Sequence, residues 1–157
     1  MSVKVAVGAD HAGFPLKETI KKVLTDEGCE VLDLGTNSTD PVDYPDFALA
    51  VGKAILEGRA ERGVILCGSG VGASVAANKV PGVRAGLCHD TFSAHQGVED
   101  DDMNVLCMGA RVIGSSLAVE VLRTWLHARY THAERHERRK EKVCNIEKEF
   151  SSITAKK

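Results

Sequence analysis

Five short apolar runs punctuate the chain, and each is followed by a stretch in which apolar residues recur every three or four positions. That alternation predicts a strand followed by a helix, five times over. The first run, residues 3–7, stops at Gly8 and gives way to Leu16, Ile20, Val23 and Leu24 on one helical face. Residues 30–34 repeat the strand pattern up to Gly35, after which Pro41 and Pro45 bracket a loop and residues 47–56 read as helix. Strand 63–67 leads to helix 71–78, strand 83–88 to helix 91–99, and strand 104–108 to helix 115–129, where Leu117, Val121, Leu122 and Leu126 share a face.

Strands that alternate with helices pair in parallel and are covered on both faces. The fold class expected is therefore α/β: a three-layer, doubly wound, Rossmann-like sandwich around a five-stranded parallel sheet, with strand order 2-1-3-4-5 and one domain over residues 1–150. Ligands of such sheets bind beyond the carboxyl ends of the strands, where the winding direction switches. Here that point lies between the first and third strands, at loops 8–13 and 68–72.

Residues 132–150 form a sixth helical stretch with Val143, Ile146 and Phe150 in register. So polar a helix has little to bury on its own chain, and it is expected to pack on a partner subunit. Residues 151–157 are expected to fray.

Composition narrows the function classes. A chain of 157 residues buries roughly two thirds of its unfolded surface, so it needs neither disulfide nor metal to hold a core. Its five cysteines, an odd number without a CxxC pair, read as reduced thiols of a cytoplasmic protein. No apolar run approaches the roughly 20 residues of a membrane span, and no leader peptide is visible. A net charge of −2 gives no footprint for nucleic acid. The charge is unevenly spread, however: residues 1–130 carry a net −5 and residues 131–157 a net +3.

The chemistry gathers at the two switch-point loops. Ile65 to Ser74 places Gly68, Gly70 and Gly72 directly after a buried strand and before a helix, a pattern whose successive amides converge on an anion. The spacing is neither GxxxxGK[ST] nor GxGxxG, which disfavours a nucleoside triphosphate or a dinucleotide and leaves a small oxyanion or phosphate. Cys67 sits at the end of that strand, where amides and a helix dipole are expected to lower its pKa below about 8.5 and make it a base or nucleophile. Cys29, Cys88 and Cys107 read as core. Asp10 and His11 follow the first strand, opposite Cys67. In the tail, Arg135 and Arg139 are like charges one helical turn apart that an intervening anion would reconcile, with His136 between them and Arg138 paired to Glu134. Arg111, after the fifth strand, is a further cation at the same edge.

Six ordered motifs, GADHAGF (8–14), DYPD (43–46), CGSGVG (67–72), AANK (76–79), GARVIG (109–114) and Arg135-His136 with Arg139, together resemble the type B ribose-5-phosphate isomerases, a family that includes galactose-6-phosphate isomerases. The resemblance spans about residues 3–149. It implies an aldose–ketose isomerase without metal or other cofactor, built as a homodimer or a dimer of dimers with active sites shared between subunits. Cys67 would be the base that carries a proton between C1 and C2 through a cis-enediolate. Ser69 and the amides of Gly70, Val71 and Gly72 would hold the enediolate oxygen, Gly68 would line the substrate, and Asp10 would hold the substrate hydroxyls. His11, Arg111, Arg135, His136 and Arg139 would clamp the phosphate, and Asn104 would also contact substrate.

The chain departs from the family at one position. Where many members carry a ring-opening histidine, in a stretch aligned with residues 99–104, this chain has Asp100. Crowding by Glu99, Asp101 and Asp102 is expected to raise the pKa of Asp100 and let it act as the acid. A tetrose 4-phosphate, whose O4 is blocked, needs no ring opening, and isomerases of erythrulose 4-phosphate are expected to resemble this chain in lacking that histidine. The alternatives are therefore a tetrose-phosphate isomerase or a sugar-phosphate-binding module without activity.

Overall fold

The structure, a computed structural model, describes residues 2–153 of the 157. The five strands are β1 (Lys4–Ala9), β2 (Glu30–Asp33), β3 (Arg62–Cys67), β4 (Ala85–Leu87) and β5 (Val105–Gly109). Between and after them run α1 (Phe14–Asp26), α2 (Tyr44–Leu56), α3 (Val71–Ala77), α4 (Thr91–Asp101), α5 (Ser115–His127) and α6 (Glu134–Phe150). All four strand pairings are parallel.

Apolar side chains alternate to either side of the sheet and create two cores. Val5, Val7, Val64, Leu66, Leu106 and Met108 face α1, α4 and α5, whose Ile20, Leu24, Leu122 and Trp125 are fully buried. Ala6, Ile65, Val105 and Cys107 face α2 and α3, where Ala48, Val51, Ala73 and Ala77 allow a close approach. At the amino edge, the Arg62 guanidinium stacks 3.8 Å from the Trp125 ring centroid and donates to the Trp125 and Leu126 carbonyls, capping the end of α5.

Two sequence expectations need correction. The strand order is 2-1-3-5-4, not 2-1-3-4-5. β5 is buried at every position and takes the interior place, whereas the three residues of β4 are partly exposed and occupy the edge, where a short strand limits unwanted pairing. The second helix starts at Tyr44 rather than Phe47, because proline in a first turn lacks an N–H that would go unbonded there anyway. The tail expected to fray lies partly outside the described residues, which end with residues 151–153 as a turn after α6.

Lys17 of α1 is fully buried, and its Nζ donates to Asp33 Oδ1 at 2.9 Å, the Thr36 carbonyl at 2.6 Å and Asn37 Oδ1 at 2.9 Å. It pins the loop after β2 beneath the carboxyl edge of the sheet. Lys17→Met is expected to lower stability in chemical denaturation by about 3 kcal/mol, because it strips a buried cation from three acceptors at once. A loss under about 1 kcal/mol would mean that Lys21, which also reaches Asp33, holds the loop alone.

Candidate active site

β1 and β3 are neighbours, so their carboxyl ends bring loops 8–13 and 68–72 together as expected. The backbone makes the contact: Asp10 N–H donates to the Leu66 carbonyl at 3.1 Å, and a Cβ on Gly13 would meet that carbonyl oxygen at 2.1 Å, so only glycine fits. Asp10 is buried, and its Oδ1 accepts from the Ala12 and Gly13 amides at 2.9 Å each, which leaves Oδ2 to another partner. The half-buried His11 accepts the Val42 N–H at its Nδ1, 3.1 Å away. Since an amide can only donate, the ring hydrogen of neutral His11 sits on Nε2, as a donor for an anion.

Cys67 ends β3 at 4% exposure. Its Sγ accepts the Gly70 N–H at 3.1 Å. Gly70 has a φ of +79° and packs so closely that a Cβ would meet Leu87 Cδ1 at 2.5 Å and the Met108 carbonyl carbon at 2.9 Å. This left-handed residue turns the loop so that α3 starts at Val71, and Ser69 Oγ accepts the Val71 N–H at 3.2 Å. Thiol, hydroxyl and helix N-terminus therefore meet within five residues. Gly72 lies beneath the Tyr44 ring, whose nearest atom would be 2.6 Å from an added Cβ.

The turn after β5 completes this edge. Ala110 N–H donates to the Cys67 carbonyl at 2.9 Å and Arg111 N–H to the Gly68 carbonyl at 3.0 Å, and the exposed Arg111 guanidinium extends over Gly68. On its far side, Gly109 N–H donates to His89 Nε2 at 2.9 Å. Desolvation pushes the Cys88 thiol up to about 11 and raises that of the fully buried Cys107 as well, so both stay protonated at neutral pH.

Asp10, His11, residues 67–72 and Arg111 thus share one edge. Asp100, Asn104, Arg135, His136 and Arg139 do not join them within the chain. α4 runs back against the strands, so its end lies at the amino edge, about 16 Å from the carboxyl edge by the rise along β5. Asn104 there accepts the Arg84 N–H at 2.8 Å and donates to the Gly82 carbonyl at 2.9 Å, stitching β4 to β5. Arg135 and Arg139 are exposed on α6, and His136 is buried. The crowding expected around Asp100 is relieved by pairing: Glu99 bonds His95, Asp102 bonds Arg84 and Lys140, and Asp100 itself accepts from Gln96 and contacts His136.

Sequence reasoning gave no role to Tyr44 or Lys17, and considered His89 only as a stand-in for the missing histidine. The DYPD motif was a signal for Tyr44, but nothing local showed that its ring would cover a loop 28 positions away. Among the described residues, no group of three or more His, Cys, Asp or Glu is placed to hold a metal ion.

A thiol at a strand's carboxyl end, set in a glycine-turned amide nest beside a carboxylate, an imidazole donor and an arginine, defines a doubly wound α/β protein equipped for proton transfer on a small anionic substrate. The chain belongs to the ribose/galactose isomerase family, whose model matches residues 5–143. Ribose-5-phosphate isomerase B of Escherichia coli (strain K12) is 43% identical over 144 residues, covering 92% of this chain and 96% of that protein. D-erythrulose-4-phosphate isomerase of Pectobacterium atrosepticum is 42% identical over 130 residues, covering 82% of this chain and 85% of that protein. The solved ribose-5-phosphate isomerase B of Clostridium thermocellum superposes with a TM-score of 0.92 at 44% identity, covering 95% of this chain and all of that one.

Proposed function

We propose that this chain is an aldose–ketose isomerase that interconverts D-ribose 5-phosphate and D-ribulose 5-phosphate, with Cys67 as the base. The observation that carries the reading is the Sγ of Cys67 facing the Gly70 amide at 3.1 Å, beside the N-terminus of α3. On the open-chain aldose, the Cys67 thiolate takes the C2 proton and the electrons move into C1=C2, so O1 becomes negative. Ser69 and the amides of residues 70–72 stabilise that oxygen. Cys67 then returns the proton to C1 while the O2 hydrogen passes to O1, giving the ketose. Asp10 Oδ2 orients a substrate hydroxyl, and His11 Nε2 and Arg111 receive the phosphate.

The working unit in this reading is a cytoplasmic homodimer in which Asp100, Arg135 and Arg139 of one protomer complete the Cys67 edge of the other. Val71, Val75, Leu87, Phe92, Val112 and Leu117 are exposed around that edge, an apolar surface that a second copy would cover. The five unpaired cysteines fit a reducing compartment. No helix among the described residues is long and apolar enough to cross a membrane.

Cys67→Ala and the Arg135→Ala/Arg139→Ala double variant are each expected to be nearly inactive. Mixed and allowed to exchange subunits, they form heterodimers with one intact site, and about a quarter of wild-type activity should return. No return would place both groups' roles within one chain.

A tetrose 4-phosphate substrate is the second reading, favoured by Asp100 and by the 42% identity to a D-erythrulose-4-phosphate isomerase. Comparing kcat/KM for ribose 5-phosphate and erythrose 4-phosphate decides between them. Ligand-induced stabilisation without turnover of either would instead mark a binding module.

A further inference from the structure

β4 ends at Leu87, opposite Cys107, whereas β5 runs on to Gly109. The buried Gly109 therefore finds the acceptor for its N–H in a side chain, His89 Nε2 at 2.9 Å. Since that nitrogen accepts, the hydrogen of neutral His89 sits on Nδ1, and the lone pair that would make the ring a base is already committed. The chain on either side fixes the ring: Cys88 N–H donates to the Cys107 carbonyl at 3.2 Å, and Asp90 caps α4 by accepting the Ser93 N–H at 2.6 Å. The peptide so held lies against the turn that makes the amide nest. A Cβ on Gly70 would be 2.9 Å from the Met108 carbonyl carbon and 3.1 Å from the Gly109 nitrogen, and a Cβ on Gly109 would be 2.5 Å from the Ser69 carbonyl carbon. No side chain separates the two backbones. The tilt of the peptide between Met108 and Gly109 is thus passed straight to the one between Ser69 and Gly70, whose N–H faces Cys67 Sγ.

We infer that His89 is a positioning residue of the isomerase site: by accepting the Gly109 N–H it fixes the floor beneath Ser69 and Gly70, and with it the amides aimed at Cys67 Sγ and at the enediolate oxygen. The inference rests on the reaction proposed above and adds to it a residue that acts through the backbone, without touching the sugar. With the imidazole removed, the Gly109 N–H is a buried donor without that acceptor, and its peptide tilts toward another. Ser69 and Gly70 follow, because their contact with Gly109 leaves no slack. Negative charge reaches the enediolate oxygen only during proton transfer, so a displaced nest costs more in the transition state than in the bound sugar. The loss therefore falls on kcat.

The test compares His89→Leu, which removes the acceptor, with His89→Gln, whose Oε1 can take the place of Nε2. Both are assayed with whichever of ribose 5-phosphate and erythrose 4-phosphate the wild type converts better. His89→Leu is expected to lower kcat about 30-fold and to leave KM within about threefold, and His89→Gln to recover most of the loss. Wild-type kcat in His89→Leu would overturn the inference. So would equal losses in the two variants, which would make the ring a packing group, or a change confined to KM, which would make it a substrate ligand. Nitrogen NMR of the labelled wild-type protein tests the bond without turnover. A scalar coupling between the Gly109 amide nitrogen and His89 Nε2, with the ring hydrogen on Nδ1, supports it, and a ring hydrogen on Nε2 contradicts it. If the wild type converts neither sugar phosphate, the isomerase reading fails and the part given to His89 falls with it, even where the coupling is seen.

Discussion

Cys67→Ala is expected to lower kcat/KM for aldose–ketose conversion by on the order of 1,000-fold while leaving a folded protein. The side chain removed is small and takes part in no ion pair, so the stability cost should stay near 1 kcal/mol. In the proposed reaction it is, however, the group that abstracts the C–H proton, and its Sγ faces the Gly70 amide. Cys107→Ala is the matched control. That thiol lies in the same core, fully buried, with desolvation holding it protonated, and its loss should cost stability rather than turnover. Equal kinetic losses in the two variants would mean that packing, not chemistry, explains Cys67.

Gly70→Ala carries the second largest expected effect, a fall in kcat of about 100-fold or more. Gly70 holds a φ of +79°, which a side chain disfavours, and the space its Cβ would need is already taken by Leu87 and the backbone at Met108. The loop must therefore shift, taking with it both the amide that faces Cys67 Sγ and the first amides of α3. Strain and displacement together should cost about 1–3 kcal/mol of stability, read by thermal unfolding. A variant with wild-type kcat would mean that the nest does not hold the developing negative oxygen.

The βα alternation was legible because each interior strand is a compact apolar run and each helix has an apolar stripe of its own. Strand order was not, since periodicity does not say which of two neighbours takes the edge. A clue existed in composition: Val105, Leu106, Cys107 and Met108 suit an interior strand better than Ala85, Gly86 and Leu87 do. At the candidate site, Asp10, His11, residues 67–72 and Arg111 could be read as a group because strand ends in a parallel sheet share an edge. Asp100 and the tail residues followed a different rule. A helix after a parallel strand returns to the amino edge, so residues at its end face away from the first group and can meet it only through another copy. The burial of His136 was hidden for a related reason: its neighbours, Thr131 and Asp100, come from two segments whose contact depends on where α6 leaves the body.

Solvent hydrogen exchange during the reaction is the most direct measurement of the central role given to Cys67. In deuterated water, proton NMR should show the wild-type protein placing solvent deuterium on the carbon next to the sugar phosphate's carbonyl, and Cys67→Ala placing almost none over the same period. Deuterium entering the sugar at the wild-type rate in the Cys67→Ala protein would contradict the assignment of that thiol as the base.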